Sequence, residues 1–467
     1  MKYAIYLLLI VYVVLAASTI IFFDGTGDAG DSILHYLFAK YAPQHPHLFF
    51  DHWAKPLYVL LSSPFAQFGF VGAKVFNVVV SFFTIWLTYG VAQRLGYSRA
   101  VGAALILMCT PLYYSLTFTG LTEPLYALFL MAAIYAAVCQ RFWLAYFIIS
   151  FHPLVRSEGL LTWGIFGLYA LYHRHWKLLP VFAAGHLIYG FAGFFVFQDL
   201  LWTIKEIPYS RLSSEYGSGE LFHFVTQLYY VVGLPIYVFF GIGFLRIGYK
   251  IIVGLRQKQL VAPNESLLLW AAYGCYFAAH SLFWYLGIFN SMGLNRVLIG
   301  VAPLSALIAL EGINFITACG MRWQVLAKAL PMVCLASVAV FPFTPNPAAI
   351  RPQRDLGLLP EQYLAQDACK WLQERYGSQR RIVCMSPYVG ELLGMDYFDD
   401  EQRLPLRDGA LAKLRAGDVV VWDSWFAREF GIVEADLAAL PTVQLMQRFE
   451  REIKGKMWSF VIYEVVR

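Results

Sequence analysis

Long apolar runs without charged residues recur along the first three quarters of the chain. The first run, Tyr3–Phe23, has 21 residues and no charge, enough for a helix that crosses the ~30 Å hydrocarbon core of a bilayer. It lacks a small-residue cleavage site and leads into an acidic loop, so we interpret it as an anchor rather than a removed signal peptide. The pattern predicts ten further spans, of which 142–155 is the shortest: 75–93, 100–118, 121–139, 142–155, 158–172, 178–197, 223–245, 266–287, 297–318 and 326–343.

The apolar segment Pro56–Ala73 decides the predicted orientation. Pro64, Gly69 and Gly72 interrupt it, and counting it as a span would reverse the sidedness of everything that follows. Lys and Arg residues favour the cytoplasmic side. An interfacial segment places 12 Lys/Arg inside and 7 outside, whereas a span places 6 inside and 13 outside. We therefore predict an interfacial segment, a cytoplasmic N-terminus and a C-terminal tail on the outer side.

Composition supports a membrane protein and divides the chain in two. Hydrophobic residues make up 59% of the 467 residues and charged residues 14%, with a mean hydropathy of +0.57, which excludes an ordinary soluble enzyme and a disordered chain. The net charge of +5 gives no support for a nucleic-acid partner. Charged residues number 31 of 343 before the proline-rich stretch Phe341–Pro347 ends the last span, and 34 of the 124 residues after it.

The predicted fold is therefore an α-helical polytopic membrane domain of about eleven spans, residues 1–343, followed by a small soluble α/β domain, residues 344–467. In this tail we predict a helix over Pro360–Tyr376 and strands over Arg381–Met385, Asp418–Trp422 and Trp458–Val466. The tail has no glycine-rich nucleotide loop, and we assign it no catalytic role.

The seven cysteines form no CxxC pair and no metal-ligand spacing. Cys369 and Cys384 could pair if the tail faces an oxidising compartment. Two buried thiols are the favoured alternative.

The predicted outer loop 24–74 begins with three carboxylates in eight residues, Asp24, Asp28 and Asp31, among glycines that permit tight turns. Carboxylates at the membrane surface can act as a general base or bind a cation. The alternative is a polar loop that only ends the first helix.

Further along the same loop, Lys55 precedes Pro56 at the start of an apolar segment. A lysine at a helix N-terminus suits a phosphate, although it could also extend toward lipid headgroups. His45, His47 and His52 with Asp51 lack a strong zinc spacing, so hydrogen-bonded histidines are favoured over a metal site.

Four more ionisable residues lie at the outer ends of predicted spans: Glu123, Arg156, Glu158 and Arg296. Charges at such positions are costly unless they are paired or face water, which makes them candidate functional residues. The structural alternative is local ion pairing of Arg156 with Glu158 or Glu123.

Taken in order, these motifs resemble a known family. The chain has Gly-Asp-x-x-x-His-Tyr (Gly30–Tyr36), Trp-Ala-Lys-Pro-Leu (Trp53–Leu57), Thr-Glu-Pro (Thr122–Pro124), Arg-Ser-Glu-Gly-Leu-Leu (Arg156–Leu161) and Asn-Arg-Val-Leu (Asn295–Leu298). This series resembles the integral-membrane glycosyltransferases of GT-C fold that use polyprenyl-phosphate sugars. Protein O-mannosyltransferases and lipid A aminoarabinose transferases belong to this group.

The resemblance implies an inverting glycosyltransferase of a bacterial inner membrane that acts on its outer face, with the tail in the periplasm. Its donor would be a polyprenyl-phosphate sugar and its acceptor a hydroxyl of a glycan, glycolipid or protein. It implies Asp31 as the catalytic residue, with Asp28 as rival, and Lys55, Arg156 and Arg296 as donor-phosphate ligands. We add Lys205 and Arg211 as further phosphate ligands, and Glu123, Glu158, His35, Tyr36 and His52 as other site candidates.

Basic side chains can stabilise a leaving phosphate, so we expect no obligatory metal ion or other cofactor. The alternative function is a transporter or flippase of a lipid-linked sugar, which would share these charged residues without the chemistry.

Overall fold

The computed structural model describes residues 2–209, 212–319, 324–377 and 380–466, and most of these are helical. The helices that precede the tail are α1 (Lys2–Phe22), α2 (Asp31–Tyr41), α3 (Pro56–Ala66), α4 (Gly69–Arg94), α5 (Val101–Met108), α6 (Pro111–Leu116), α7 (Glu123–Val138), α8 (Phe142–Ser150), α9 (His152–Val155), α10 (Gly159–Tyr172), α11 (Ala184–Phe197), α12 (Trp202–Lys205), α13 (His223–Val232), α14 (Leu234–Arg256), α15 (Ala272–Leu286), α16 (Ala302–Cys319) and α17 (Gln324–Val340). Segments of 3-10 helix cover Pro46–Phe50, Trp176–Ala183, Asn295–Val301 and Phe341–Phe343, and Asn264–Ala271 is a π-helix.

Six helices among the described residues are long and apolar enough to cross a membrane. They are Tyr3–Phe22, Gly69–Arg94, Trp176–Phe197, Leu234–Arg256, Asn264–Leu286 and Asn295–Ala318. Other predicted spans are present as shorter apolar helices, such as α7 and α10. The predicted span 100–118 is divided into α5 and α6, because Pro111 lacks the amide hydrogen that a continuous helix requires.

The ambiguous segment Pro56–Ala73 is also divided. Its first part is α3, an 11-residue helix, which at 1.5 Å per residue is about half the length needed to cross a bilayer. A turn at Gln67 and Phe68 separates it from α4. The interfacial position of this segment stays a prediction.

Close packing of α14 against α16 forms part of the core of the helical domain. A Cβ atom at Gly243 would lie 1.9 Å from the carbonyl oxygen of Ile308, and one at Gly312 would lie 2.0 Å from that of Phe239. Only glycine allows the two backbones this approach, as at other interfaces between membrane helices.

The tail is a five-stranded sheet with helices. Strands β1 (Ile382–Cys384), β2 (Arg403–Pro405), β3 (Val419–Asp423), β4 (Val443–Ile453) and β5 (Lys456–Val465) lie in the order β2-β1-β3-β5-β4. β1 is parallel to β2 and β3, and β5 is antiparallel to β3 and β4. The helices are α18 (Pro352–Asp355), α19 (Pro360–Tyr376), α20 (Pro387–Leu393), α21 (Phe426–Glu429) and α22 (Glu434–Ala438), and Leu411–Lys413 is a 3-10 turn.

The predicted tail helix and its three predicted strands are therefore confirmed. Strands β2 and β4 lie at the two edges of the sheet and were missed, because β2 has only three residues and β4 carries many exposed polar side chains. Cys369 and Cys384 are buried free thiols rather than a disulfide.

The tail packs directly on the loop that follows α1. Apolar residues of α2 share one hydrophobic core with α19, α20 and the sheet; Ile33 and Leu37 belong to it. Lys40 Nζ lies 3.0 Å from Glu391 Oε2, and Gly25 N donates a hydrogen bond of 2.9 Å to the carbonyl oxygen of Leu356. The tail thus holds the segment that carries the acidic residues.

Candidate active site

A tight turn at the start of α2 places Asp28 and Asp31 together. Asp28 Oδ1 accepts hydrogen bonds from the backbone amides of Gly30 at 3.0 Å and Ser32 at 2.8 Å. Gly27 adopts a φ of +86°, a left-handed conformation that suits glycine. The loop sequence therefore fixes Asp28 as a turn-forming residue and leaves Asp31 as the first residue of the helix.

Arg296, from a distant part of the chain, binds both carboxylates. Its Nη1 lies 3.0 Å from Asp28 Oδ2, and its Nη2 donates a short hydrogen bond to Asp31 Oδ2. Its Nε lies 3.6 Å from Oε1 of Glu123, a side chain that is almost fully buried. Arg296 belongs to the 3-10 helix Asn295–Val301, which places this guanidinium at the N-terminal end of α7.

Arg156 extends this charged cluster. Its Nη1 lies 3.0 Å from Glu123 Oε1 and donates a hydrogen bond of 2.9 Å to Thr122 Oγ1. Its Nη2 donates to Glu158 Oε1 at 2.9 Å. The local ion pairs considered from the sequence are thus present, and they form one network with Asp28 and Asp31 through Glu123 and Arg296.

The pKa values of the two aspartates shift in opposite directions. Burial raises the pKa of Asp28 above its ordinary value, because desolvation outweighs the attraction of the Arg296 guanidinium. Burial also acts to raise the pKa of Asp31, but the charge and the hydrogen bond of Arg296, together with the charge of Arg156 and the influence of His35, outweigh it and the net direction is downward. Asp31 is therefore the better candidate for an ionised base at neutral pH.

Lys55 stands apart from that network. It precedes α3 with a φ of +68°, an unusual conformation for a residue with a side chain, and it is buried. Its ammonium lies 4.9 Å from the ring centroid of Tyr209 and has no ion pair with the part of the chain that the structure describes. Burial lowers the pKa of Lys55 to about 8, so the side chain is mostly charged at pH 7.

A cavity of about 530 Å³ joins these groups. Its wall includes Asp31, Lys55, Glu123, Arg156, Glu158 and Arg296, together with many apolar side chains from the helical domain. We call this space the first cavity. It can accept an anionic group beside Lys55 and a neutral, partly apolar body around that group.

His35 also lines the first cavity and is held by aromatic packing. Its ring stacks on Trp53 with the centroids 4.9 Å apart, and burial lowers the pKa of His35 to about 3, which keeps the imidazole neutral. Its Nδ1 is buried without a hydrogen-bond partner among the described residues, so it is available to a bound molecule.

Three other candidates lie outside the first cavity. The hydroxyl of Tyr36 donates to Glu391 at 3.0 Å and so joins α2 to the tail. His52 Nε2 bonds the carbonyl oxygen of Thr203 at 2.9 Å. Lys205 is exposed and pairs with Asp199 at 2.5 Å, and Arg211 lies outside the described residues.

The histidines of the first loop do not gather into a metal site. His45 Nε2 lies 2.8 Å from Asp396 Oδ2 of the tail, and His52 is engaged with Thr203. Within the described ranges, no group of three or more His, Cys, Asp or Glu is placed to hold a metal ion. His45 and His52 are thus both hydrogen-bonded, to Asp396 and Thr203.

Several residues of the first cavity were not among the candidates from the sequence, and Trp53 and Tyr209 are two of them. Trp53 was part of the quoted Trp-Ala-Lys-Pro motif, and that position was its only signal. Tyr209 carried none, because aromatic residues make up 17% of this chain and are common at membrane interfaces.

The architecture is that of a membrane protein whose helical domain carries a charged cavity and ends in a tail with a five-stranded sheet, and comparison with solved structures makes it more specific. ArnT from Cupriavidus metallidurans bound to undecaprenyl phosphate matches with a TM-score of 0.63 and 11% identity, covering 99% of this chain and 98% of that chain. Its apo state matches with a TM-score of 0.64 and 11% identity, covering 98% and 97%. The chain has the fold of ArnT, and the GT-C fold class predicted from its motifs is confirmed.

A third structure, the arabinofuranosyltransferase AftD from Mycobacteria, matches more weakly, with a TM-score of 0.45 and 14% identity over 98% of this chain and 40% of that chain. No family model matches the chain. No curated protein matches its sequence either.

Proposed function

We propose that this protein is an inverting glycosyltransferase that moves a sugar from a polyprenyl-phosphate donor to an acceptor hydroxyl at the outer face of the membrane. In this proposal the membrane is a bacterial inner membrane, the N-terminus is cytoplasmic and the tail is periplasmic. The first cavity is the donor site.

One observation carries the proposal: Lys55, Arg156 and Arg296 converge with Asp31 on a single cavity whose remaining wall is largely apolar. A lipid phosphate needs cations for its head and apolar surface for its tail. The likeness in fold to ArnT bound to undecaprenyl phosphate supports the same class of donor.

Lys55 is the residue best placed to bind the donor phosphate. Both arginines already face carboxylates, whereas the Lys55 ammonium has no carboxylate partner among the described residues. A phosphate beside Lys55 therefore gains a charged hydrogen bond without breaking an ion pair. As the glycosidic bond breaks, its electron pair passes to the phosphate oxygen, and Lys55 stabilises the growing charge.

Asp31 acts as the general base in this mechanism. The acceptor hydroxyl gives its proton to the Asp31 carboxylate while its oxygen bonds the anomeric carbon, and the bond from that carbon to the phosphate oxygen breaks. A single displacement of this kind inverts the anomeric configuration. The Arg296 guanidinium orients Asp31 and holds Asp28 and Glu123 close by.

We propose further that no metal ion is needed, because lysine and arginine take the charge-stabilising role. The carboxylates of the cluster face guanidinium groups rather than one another. Transfer should therefore persist in excess EDTA, as measured with the purified protein.

Lys55→Ala tests the donor site, with Lys205→Ala as a matched control outside the cavity. We expect Lys55→Ala to weaken binding of undecaprenyl phosphate by about 1.5–3 kcal/mol, the size of a lost charged hydrogen bond. The measurement is stabilisation of the full-length protein in a thermal unfolding titration with the lipid. Equal stabilisation of Lys55→Ala and the wild type would contradict the assignment.

Release of lipid phosphate separates transfer from transport. Purified protein incubated with a labelled undecaprenyl-phosphate sugar and a cell-envelope extract should release free undecaprenyl phosphate as the label enters an acceptor. A protein in vesicles that moved the intact lipid across the bilayer and released none would be the transporter alternative.

A further inference from the structure

A second cavity of about 360 Å³ lies between the helical domain and the tail. It shares Asp31, Arg296, Tyr216, Met292 and Leu294 with the first cavity. The two spaces therefore meet at the Asp31–Arg296 ion pair. Asp28 lines the second cavity and is absent from the lining of the first.

The tail contributes an aromatic wall to this space. Trp425 and Trp458 line it and stack on each other, with their ring centroids 5.0 Å apart and their planes at 18°. Trp425 remains 46% exposed. Phe426 also lines the cavity, and a Cβ atom at Gly30 would lie 3.2 Å from its ring. The exposed surface of an indole ring suits the apolar C–H face of a sugar ring.

A buried carboxylate of the tail lacks a partner at the same place. Asp423 lines the second cavity and is 3% exposed. Its Oδ1 accepts hydrogen bonds from the amides of Trp425 at 3.1 Å and Phe426 at 2.5 Å, but its Oδ2 has no partner among the described residues. A buried acceptor without a donor is costly, and a hydroxyl or amino group of a bound molecule would satisfy it.

The charged side chains that line the second cavity limit the kinds of ligand that it can bind. Five carboxylates line the second cavity, those of Asp28, Asp31, Glu361, Asp423 and Glu429, and the basic side chain in the lining is Arg296, which already binds two of them. The carboxylates of this wall would repel an anionic group. Lys456, whose Nζ lies 5.1 Å from the Trp458 ring centroid, is not part of the lining.

We propose that the second cavity binds a carbohydrate without anionic groups, neutral or amino-bearing, between the Trp425–Trp458 pair and Asp423. The proposal that this sugar binds depends only on the features of the second cavity. Its role as acceptor rests on the proposed function, in which a hydroxyl directed at Asp31 would receive the sugar from a donor in the first cavity.

The test uses the full-length protein in detergent on an array of bacterial cell-envelope glycans. Trp425→Ala and Asp423→Asn remove the two recognition features, and Tyr363→Ala is the matched control, because Tyr363 is 45% exposed on the tail and does not line the cavity. We expect the wild type and Tyr363→Ala to bind the same neutral or amino-bearing glycans. Trp425→Ala and Asp423→Asn should bind them roughly tenfold more weakly, equivalent to about 1.4 kcal/mol.

Undecaprenyl phosphate serves as a second readout in the same preparations. All four proteins should be stabilised equally by the lipid, which shows that the variants are folded. The proposal is overturned if the wild type binds no glycan, if it prefers phosphorylated glycans, or if both cavity variants bind as the wild type does. Glycan binding without stabilisation by the lipid would count against the proposed function and leave the carbohydrate site in place.

Discussion

Asp31 and Asp28 occupy different positions although both bind Arg296. Asp31 lines both cavities, whereas Asp28 lines the second and uses one carboxylate oxygen to accept two backbone amides. Under the proposed function, the residue that lies between the two cavities is the one suited to take a proton during transfer. Asp28 is suited to hold the turn and Arg296.

Asp31→Asn should reduce transfer by about 10²–10⁴-fold, the usual contribution of a positioned base. Stabilisation by undecaprenyl phosphate should remain, since Lys55 is unchanged. Asp28→Asn, measured in parallel, should retain more activity because the asparagine oxygen can still accept the Gly30 and Ser32 amides. Near-normal transfer in Asp31→Asn with collapse in Asp28→Asn would assign the base to Asp28.

Because the pKa of Lys55 is lowered, we expect donor binding to depend on pH. With a pKa lowered to about 8, the Lys55 side chain is almost fully protonated below pH 7 and loses its positive charge as the pH rises through 8. The lipid phosphate is already fully ionised above pH 7.5, since its second pKa is near 6. Affinity for undecaprenyl phosphate should therefore fall by roughly tenfold between pH 7.5 and 9.5.

Lys55→Arg provides the control for this effect, because arginine keeps its charge throughout that range. Its affinity should be nearly flat with pH, whatever its absolute value. A wild-type affinity that stayed constant to pH 9.5 would show that Lys55 does not bind the phosphate.

The residues that sequence reasoning brought forward share a physical property. Asp31, Lys55, Arg156 and Arg296 are charges beside long apolar runs, and such charges stand out because burial without a partner is expensive. Asp423 lies in a tail where charged residues are common, so its burial could be seen only in the structure. The sequence likewise gave no sign that Tyr36 would bond Glu391, 355 positions away.

At the scale of elements, the first turn of α2 depends on its contact with the loop before α7. Gly120 N donates a hydrogen bond of 2.7 Å to Ser32 Oγ, and a Cβ at Gly120 would lie 2.1 Å from the carbonyl oxygen of Ser32. The turn that carries Asp31 thus rests against a position where only glycine fits.

Gly120→Ala should therefore displace α2 and destabilise the protein by about 1–3 kcal/mol, as overpacking does. Transfer should fall more than stabilisation by undecaprenyl phosphate, because Asp31 moves while Lys55 does not. Gly164→Ala in α10 is the control, since a Cβ there has no atom within 4 Å. Equal thermal unfolding and equal transfer in both variants would refute this role for Gly120.

Helices with a clear sequence pattern could be predicted, but the points at which a helix is interrupted were harder to predict. The tail helix Pro360–Tyr376 has the bounds expected from its sequence. Hydropathy alone could not show that α5 and α6 are separate, because the residues on both sides of Pro111 are equally apolar. The break depends on a missing amide hydrogen rather than on polarity.

At the scale of the whole molecule, the proposed orientation can be measured by cysteine labelling. In a background in which the seven native cysteines are replaced by alanine, Asp400→Cys reports on the tail and Gln259→Cys on the loop after α14. With the tail outside, an impermeant maleimide should label Asp400→Cys in intact spheroplasts and Gln259→Cys only after lysis. The reverse pattern would overturn the orientation drawn from the Lys/Arg counts.

The walls of the second cavity come from two different parts of the chain, the helical domain and the tail. Asp28, Asp31 and Arg296 come from the helical domain, while Asp423 and Trp425 come from the tail. Mutations in the tail can therefore alter one wall of this space without touching the side chains around Lys55. Under the proposed function, such a division would let related proteins change their acceptor during evolution while they keep the same lipid donor. A chimera with a transplanted tail would then take the glycan selectivity of the tail's parent.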